Sequence, residues 1–101
     1  MWHPITCSEL NAEIQRTEHE LKDKLWCFWE YIRITPEKWQ EKSHGDEGGG
    51  FWVVAIIGKS VIWYNDIEEG FNVSGYANYG EIDNYGSNQD EISWVIKSMF
   101  H

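Results

Sequence analysis

The sequence predicts an α+β fold: a small, mainly antiparallel sheet of about four strands, with one helix before it and one after it. Apolar residues recur at helical spacing near both ends of the chain, and two apolar runs in the middle are separated only by Gly58 and Lys59. The chain has 101 residues, of which 42% are hydrophobic. This length and composition predict a single domain, residues 1–101, that can bury a core of its own.

The first predicted element is a helix over residues 7–24. Thr6 and Glu9 have the spacing of a capping box, in which each side chain accepts a hydrogen bond from the other residue's backbone N–H. Apolar residues and one threonine then recur every three or four positions: Leu10, Ile14, Thr17, Leu21 and Leu25. The opposite face, which carries most of the charged side chains, is interpreted as solvated.

We predict a strand over residues 25–35, because aromatic and β-branched residues are frequent there and alternate at period two. This alternation places Trp26 and Phe28 in the core. Residues 36–42 are predicted to form a helical turn with proline at its first position. The glycine-rich residues 43–50 follow as a mobile loop, where we expect disorder.

A β-hairpin is predicted over residues 51–57 and 60–64, because Gly58 can adopt the positive φ angle of a tight turn. The strands place Trp52 and Trp63 in the core. A third short strand over residues 71–76 follows the turn at residues 65–70.

The chain is predicted to end in a helix. After a loop rich in Gly and Asn, Ser87 or Asn88 caps a helix that runs through Phe100. Its buried side carries apolar residues at helical spacing: Ile92, Val95, Ile96, Met99 and Phe100.

Composition limits the partners that the chain can bind. It carries 8 basic and 17 acidic residues, for a net charge of −9. Nucleic acids and anionic membranes are bound through clustered Lys and Arg, so neither is an expected partner. We find no signal-peptide pattern and no apolar run near the ~20 residues of a membrane span, and expect a cytoplasmic protein. Cys7 and Cys27 are expected to be free, buried thiols.

The acidic charge is concentrated in residues 60–96, which contain seven acidic residues and no Lys or Arg. A field of one sign accelerates encounter with an oppositely charged partner, and the aromatic residues in the same segment supply rigid contact area. We therefore predict that this segment binds a basic protein. The predicted contact residues are Asp66, Glu68, Glu69, Tyr76, Tyr79, Glu81, Asp83 and Tyr85. For the three tyrosines, simple packing onto the sheet is the alternative.

The sequence predicts no metal, cofactor or catalytic nucleophile. A calcium-binding loop that starts at Asn65 would have Ile67 at its third position, where an oxygen ligand is needed. His44 has acidic neighbours but lies in the glycine-rich loop without a second histidine nearby. Cys7 lies in the first turn of a helix, yet nothing in the sequence brings a histidine to it. We therefore do not predict an enzyme.

Residues 61–72, VIWYNDIEEGFN, and their acidic continuation resemble the small acidic immunity proteins of bacterial polymorphic and contact-dependent toxin systems. The resemblance covers roughly the last half of the chain. It implies a cytosolic inhibitor that binds a basic toxin or nuclease tightly and covers its active site or a neighbouring exosite. In that role the carboxylates would take the place of phosphates.

Two other functions stay open. Stacked aromatic rings together with Asn, Asp and Glu can bind a sugar or a small cation, which requires a concave pocket. A small enzyme could use two carboxyl groups, for instance those of Glu68 and Glu81, as acid and base. That function requires the two groups to lie close together and one of them to have a raised pKa.

Overall fold

Four antiparallel strands form one sheet in the computed structural model, which describes residues 3–100 apart from the side chain of Glu47. In order across the sheet, the strands are β1 (Arg33–Trp39), β2 (Phe51–Ile57), β3 (Ser60–Asn65) and β4 (Gly70–Gly75). The helices are α1 (Cys7–Glu18), α2 (Lys24–Ile32) and α3 (Ile92–Met99). The predicted α+β class, with helices at both ends, is confirmed. Within residues 3–100, every helix is too short or too polar to reach across a lipid bilayer.

Helix α1 starts where it was predicted to start. Both hydrogen bonds of the capping box are present, at 3.1 Å from the Glu9 N–H to Thr6 Oγ1 and 3.0 Å from the Thr6 N–H to Glu9 Oε1. The helix ends at Glu18, earlier than predicted. Asp23 then has a φ of 55°, which is rare for a residue other than glycine, and the chain changes direction before α2.

The predicted strand over residues 25–35 is wrong in its type and its bounds, because most of this segment forms α2. Trp29 and Ile32 are buried, whereas Trp26, predicted to be in the core, is exposed. Their spacing fits a helix, and the indole N–H of Trp29 donates to Glu18 at the end of α1. Burial against α1 and the sheet therefore outweighs the strand propensity of the aromatic residues.

The predicted helical turn over residues 36–42 is also wrong, since Pro36 lies within β1. Strand β1 is at the edge of the sheet, and its register with β2 is irregular between Arg33 and Glu37. Edge strands and irregular registers are the positions where a sheet tolerates a residue without an N–H. Residues 43–50, expected to be disordered, instead form turns and a short 3₁₀ helix, Asp46–Gly48.

The hairpin of β2 and β3 is confirmed, and Gly58 in its turn has a φ of 59°. The third predicted strand is confirmed as β4, shifted by one residue. Helix α3 begins one residue after Glu91, its N-cap, so the predicted caps Ser87 and Asn88 are wrong.

The sheet has a different cover on each face. Helices α1, α2 and α3 pack on one face, called here the helix side, around a mainly aliphatic core. Residues 76–91 cross the other face, called here the loop side, over a core rich in aromatic rings. That second core consists of Trp39, Phe51, Val53, Val61, Trp63 and Ile82. The burial of Trp63 is as predicted, whereas Trp52 and Phe28 are only partly buried.

Candidate partner-binding site

The structure places the eight predicted contact residues in two separate regions. Asp66, Glu68 and Glu69 occupy the turn between β3 and β4, close to the N-terminal segment and α1. The other five belong to the loop that crosses the loop side: Tyr76, Tyr79, Glu81, Asp83 and Tyr85. The acidic segment is continuous in sequence, but the fold divides its charge between two surfaces.

The turn between β3 and β4 is held by the buried side chain of Asn65. Its carbonyl oxygen accepts from the N–H groups of Ile67 and Glu68 at 3.0 and 3.1 Å, and its amide donates to the carbonyl of Gly86 at 2.7 Å. Glu69 has a φ of 61°, a left-handed conformation that glycine adopts more readily. The turn therefore carries Glu69 in a strained backbone conformation.

The turn faces α1 across an open cleft of about 460 Å³, called here the acidic cleft. It is lined by four carboxylates, a guanidinium and their neighbours: His3, Pro4, Ile5, Glu9, Glu13, Arg16, Tyr64, Asp66 and Glu69. The guanidinium of Arg16 donates to Glu13 at 2.9 Å and to Glu91 at 3.4 Å. Among the described lining residues, Arg16 thus offsets part of the charge, and negative charge remains in excess.

Two long-range contacts bring the N-terminal segment to the cleft. The N–H of Ile5 donates to Asp66 Oδ2 at 2.7 Å, and the indole N–H of Trp52 donates to the carbonyl of Ile5 at 2.9 Å. Helix α1 starts immediately afterwards, so Glu9 and Glu13, four residues apart, share the face nearest the turn. This pair was not among the predicted contact residues. The available signal was two like charges at i and i+4, a spacing that slightly destabilises a helix.

Tyr64 reports the electrostatics of the cleft. Burial, followed by the negative charges of Glu13, Glu69 and Asp66, raises the pKa of its hydroxyl from 10.0 to about 12. Arg16 acts in the opposite direction. Three carboxylates from two segments distant in the sequence therefore act on the same hydroxyl group.

The tyrosines of the loop side mostly pack on the sheet. The ring of Tyr76 meets Trp39 edge-on at 5.1 Å, and its hydroxyl donates to the carbonyl of Gly58 at 3.0 Å. Tyr79 packs on the same tryptophan at 4.8 Å, and Tyr85 stacks on His44 at 3.9 Å between ring centroids. Of the three, Tyr79 stays the most exposed, at 66%.

Tyr79 also stabilises a carboxylate on β1. Hydrogen bonds from the Tyr79 hydroxyl and the Trp39 indole lower the pKa of Glu37, and the same bond to Glu37 raises the pKa of Tyr79. This carboxylate is therefore engaged within the molecule.

Glu81, Asp83 and Tyr85 line a second depression of about 310 Å³, called here the loop groove. Lys42 lies in the same groove, so its charge is mixed. Glu41, also in its lining, is buried and accepts from Ser43 and from the N–H groups of residues 43–45. Burial alone would raise the pKa of Glu41, but these hydrogen bonds outweigh it and hold the pKa below its ordinary value.

Metal-ligating groups do not assemble in the described part of the chain. Within residues 3–100, no three His, Cys, Asp or Glu side chains are placed to hold a metal ion. Cys7 and Cys27 are free thiols, and Cys27 is exposed instead of buried, because the segment predicted as a strand is helical.

No family model, curated protein or solved structure matches this chain.

Proposed function

We propose that this chain is a protein-binding module that neutralises a basic protein, in the manner of an immunity protein acting on a basic toxin or nuclease. The observation that carries the proposal is the acidic cleft. There, Glu9 and Glu13 of α1 face Asp66 and Glu69 of the turn. A concentrated field of one sign steers a basic partner to this surface and accelerates association.

The cleft is preorganised. Glu9 is held by the capping box, Asp66 by the N–H of Ile5, and the turn by Asn65. Groups that are already fixed lose little conformational entropy on binding, so more of the interaction energy appears as affinity.

A sugar-binding function has less support. The rings that would stack on a sugar are largely stacked on one another, as Trp39 is with Tyr76 and Tyr79, and Phe51 with Trp63. An acid–base pair of Glu68 and Glu81 is also disfavoured. Glu81 pairs with Gln40 next to β1, at one edge of the sheet, whereas Glu68 lies in the turn between β3 and β4. Since neighbouring strands lie about 5 Å apart, the two residues are separated by on the order of 10 Å or more. Paired carboxylates in glycosidases lie about 5–10 Å apart.

A capture experiment from the native cell extract at low salt tests the proposal. The baits are the wild-type chain, the cleft variant Glu68→Lys/Glu69→Lys and the groove variant Glu81→Lys/Asp83→Lys, which has the same change in charge. In the cleft variant, Glu69 lines the cleft and Glu68 precedes it in the turn. We expect the wild type and the groove variant to retain one basic protein that high salt releases, and the cleft variant to lose it. Capture of no basic protein, or equal capture by all three baits, would contradict the proposal.

A further inference from the structure

The lining of the acidic cleft includes a buried tyrosine, Tyr64. Tyr64 is only 6% exposed and its ring packs against Phe71 at 4.8 Å, yet it lines the cleft. Among residues 3–100, its hydroxyl has no hydrogen-bond partner. The side chain is buried, but its hydroxyl opens on the cleft, where water or a ligand can supply a hydrogen bond. A polar group of this kind, presented by a buried side chain among carboxylates, is available to a ligand that enters the cleft.

The groups around the hydroxyl define the chemistry of that ligand. Carboxylates only accept hydrogen bonds, so the ligand must donate several of them and carry positive charge. The carboxylates of the cleft do not converge closely enough to hold a metal ion, as no such group occurs in residues 3–100. An organic cation is wider than a metal ion and tolerates this spacing.

The arrangement suits an ammonium better than a guanidinium. The acceptors lie on three elements: Glu13 on α1, Asp66 and Glu69 in the turn, and Tyr64 at the end of β3. A lysine ammonium has three donors on one freely rotating atom, whereas a guanidinium offers its donors in a single plane. The cleft already contains one guanidinium, that of Arg16, which is paired with Glu13 and Glu91.

We propose that the acidic cleft binds the side-chain ammonium of a lysine of the partner protein, with the Tyr64 hydroxyl oxygen and the carboxylates of Asp66 and Glu69 as its acceptors. This assignment rests on the proposed function and specifies the group that the cleft recognises. The Tyr64 hydroxyl stays protonated and neutral at physiological pH, because its pKa is raised to about 12. It can therefore accept from the ammonium through a lone pair while its own proton points to a carboxylate or to water.

Small amide probes test the site without the partner. The labelled protein is titrated with the N-acetyl methylamides of lysine, arginine and norleucine, and the backbone amide shifts of residues 64–69 are followed by NMR. The lysine probe should shift these amides and bind at least about 3-fold more tightly than the arginine probe, and the norleucine probe should not bind. Equal affinities of the lysine and arginine probes would overturn the assignment.

Three variants separate the hydroxyl from general charge. Tyr64→Phe keeps the ring and its packing, and it should weaken the lysine probe about 3- to 10-fold, the effect of one hydrogen bond. Glu69→Gln, at an exposed position, should weaken it to a similar extent. Glu81→Gln in the loop groove is the matched control and should leave the affinity unchanged. Unchanged binding by both Tyr64→Phe and Glu69→Gln would overturn the site.

The captured partner distinguishes this inference from the proposed function. If a basic protein binds in a salt-sensitive manner while the lysine probe does not bind, the proposed function stands and the ammonium site is overturned. If the probe binds but Tyr64→Phe leaves the affinity for the captured protein unchanged, the ammonium comes from a free amine, and the assignment to a lysine of the partner is overturned.

Discussion

The two faces of the sheet use their polar groups differently, and two neighbouring residues of β3 show the contrast. Trp63 points to the loop side, where its indole N–H donates to Ser74 Oγ at 3.0 Å within an aromatic core. Tyr64 points to the helix side, where its hydroxyl reaches the acidic cleft and has no hydrogen-bond partner within residues 3–100.

The carboxylates follow the same division. On the loop side, Glu37 and Glu41 accept hydrogen bonds from the rings, hydroxyls and backbone of the molecule itself. In the cleft, the carboxylate of Glu69 makes no hydrogen bond or ion pair with any residue in the range 3–100. An acidic residue in this chain is therefore informative about binding only after its internal partners are known.

The largest expected effect on stability comes from removing a buried ring from the aromatic core of the loop side. Trp63→Ala removes a fully buried indole and leaves Ser74 without that donor, so it should lower the free energy of unfolding by about 3–5 kcal/mol. Trp94→Ala is the control, since Trp94 is 61% exposed, and it should change stability by less than about 0.5 kcal/mol. Chemical denaturation measures both. A similar decrease in the free energy of unfolding for the two variants would show that the buried ring of Trp63 stabilises the fold no more than the exposed ring of Trp94.

The next effect tests the burial of the Tyr64 hydroxyl together with the negative charge of the cleft around it. The folded-state pKa of Tyr64, about 12, lies above its ordinary value of 10.0, so the unfolded chain loses this proton first as the pH rises. Its contribution to stability is thus complete below pH 10 and is lost between about pH 10 and 12, amounting to about 2–3 kcal/mol.

Tyr64→Phe should therefore flatten the alkaline decline in stability, while changing stability at neutral pH by less than about 1 kcal/mol. Denaturation at a series of pH values measures this difference, with Tyr31→Phe, at an 82% exposed position, as the control. An unchanged alkaline decline in Tyr64→Phe would show that neither burial nor the cleft carboxylates raise the pKa of this hydroxyl.

A smaller effect tests the internal role of the loop-side carboxylates. Glu41→Gln replaces a carboxylate that accepts four hydrogen bonds, and it should lower the free energy of unfolding at pH 7 by about 1–2 kcal/mol. Because the folded-state pKa of Glu41 is lowered, the wild type keeps this stability above pH 4.5 and loses it as the pH falls through the folded-state pKa. The difference between the two proteins should therefore shrink in acid. A difference that grows in acid would contradict this role.

The smallest effect concerns the strained residue of the cleft. Glu69→Gly relieves the left-handed conformation and should stabilise the fold by about 0.5–1 kcal/mol. It also removes a cleft carboxylate, so affinity for the lysine probe should fall as it does in Glu69→Gln. Thermal melts and the probe titration give both values. A stabilised variant with full affinity would show that neither the Glu69 carboxylate nor its strained backbone contributes to binding the probe.

Local chemistry explains what was predictable from the sequence. The capping box at Thr6 and the turn at Gly58 depend on residues close together in the chain, and both are confirmed. Residues 25–35 contain a helical and an alternating pattern at once. The helix forms because Trp29 is buried and donates a hydrogen bond to Glu18. These are tertiary contacts, and local propensity does not predict them.

The candidate site also depends partly on contacts between residues distant in the sequence, which the sequence alone does not predict. Asp66 and Glu69 were predicted from the absence of Lys and Arg in their segment. Glu9 and Glu13 were missed because the bonds that bring α1 to the turn join residues 61 and 47 positions apart. Whether these carboxylates contact a partner stays a prediction.

The most direct test of the central claim is the association rate of the captured basic protein, measured as a function of salt concentration. If the cleft attracts the partner by charge, the wild-type rate falls steeply with salt. Glu68→Lys/Glu69→Lys then associates more slowly and with a shallower dependence, while Glu81→Lys/Asp83→Lys keeps the wild-type slope. Equal slopes for the wild type and the cleft variant would contradict the claim and place the interface elsewhere.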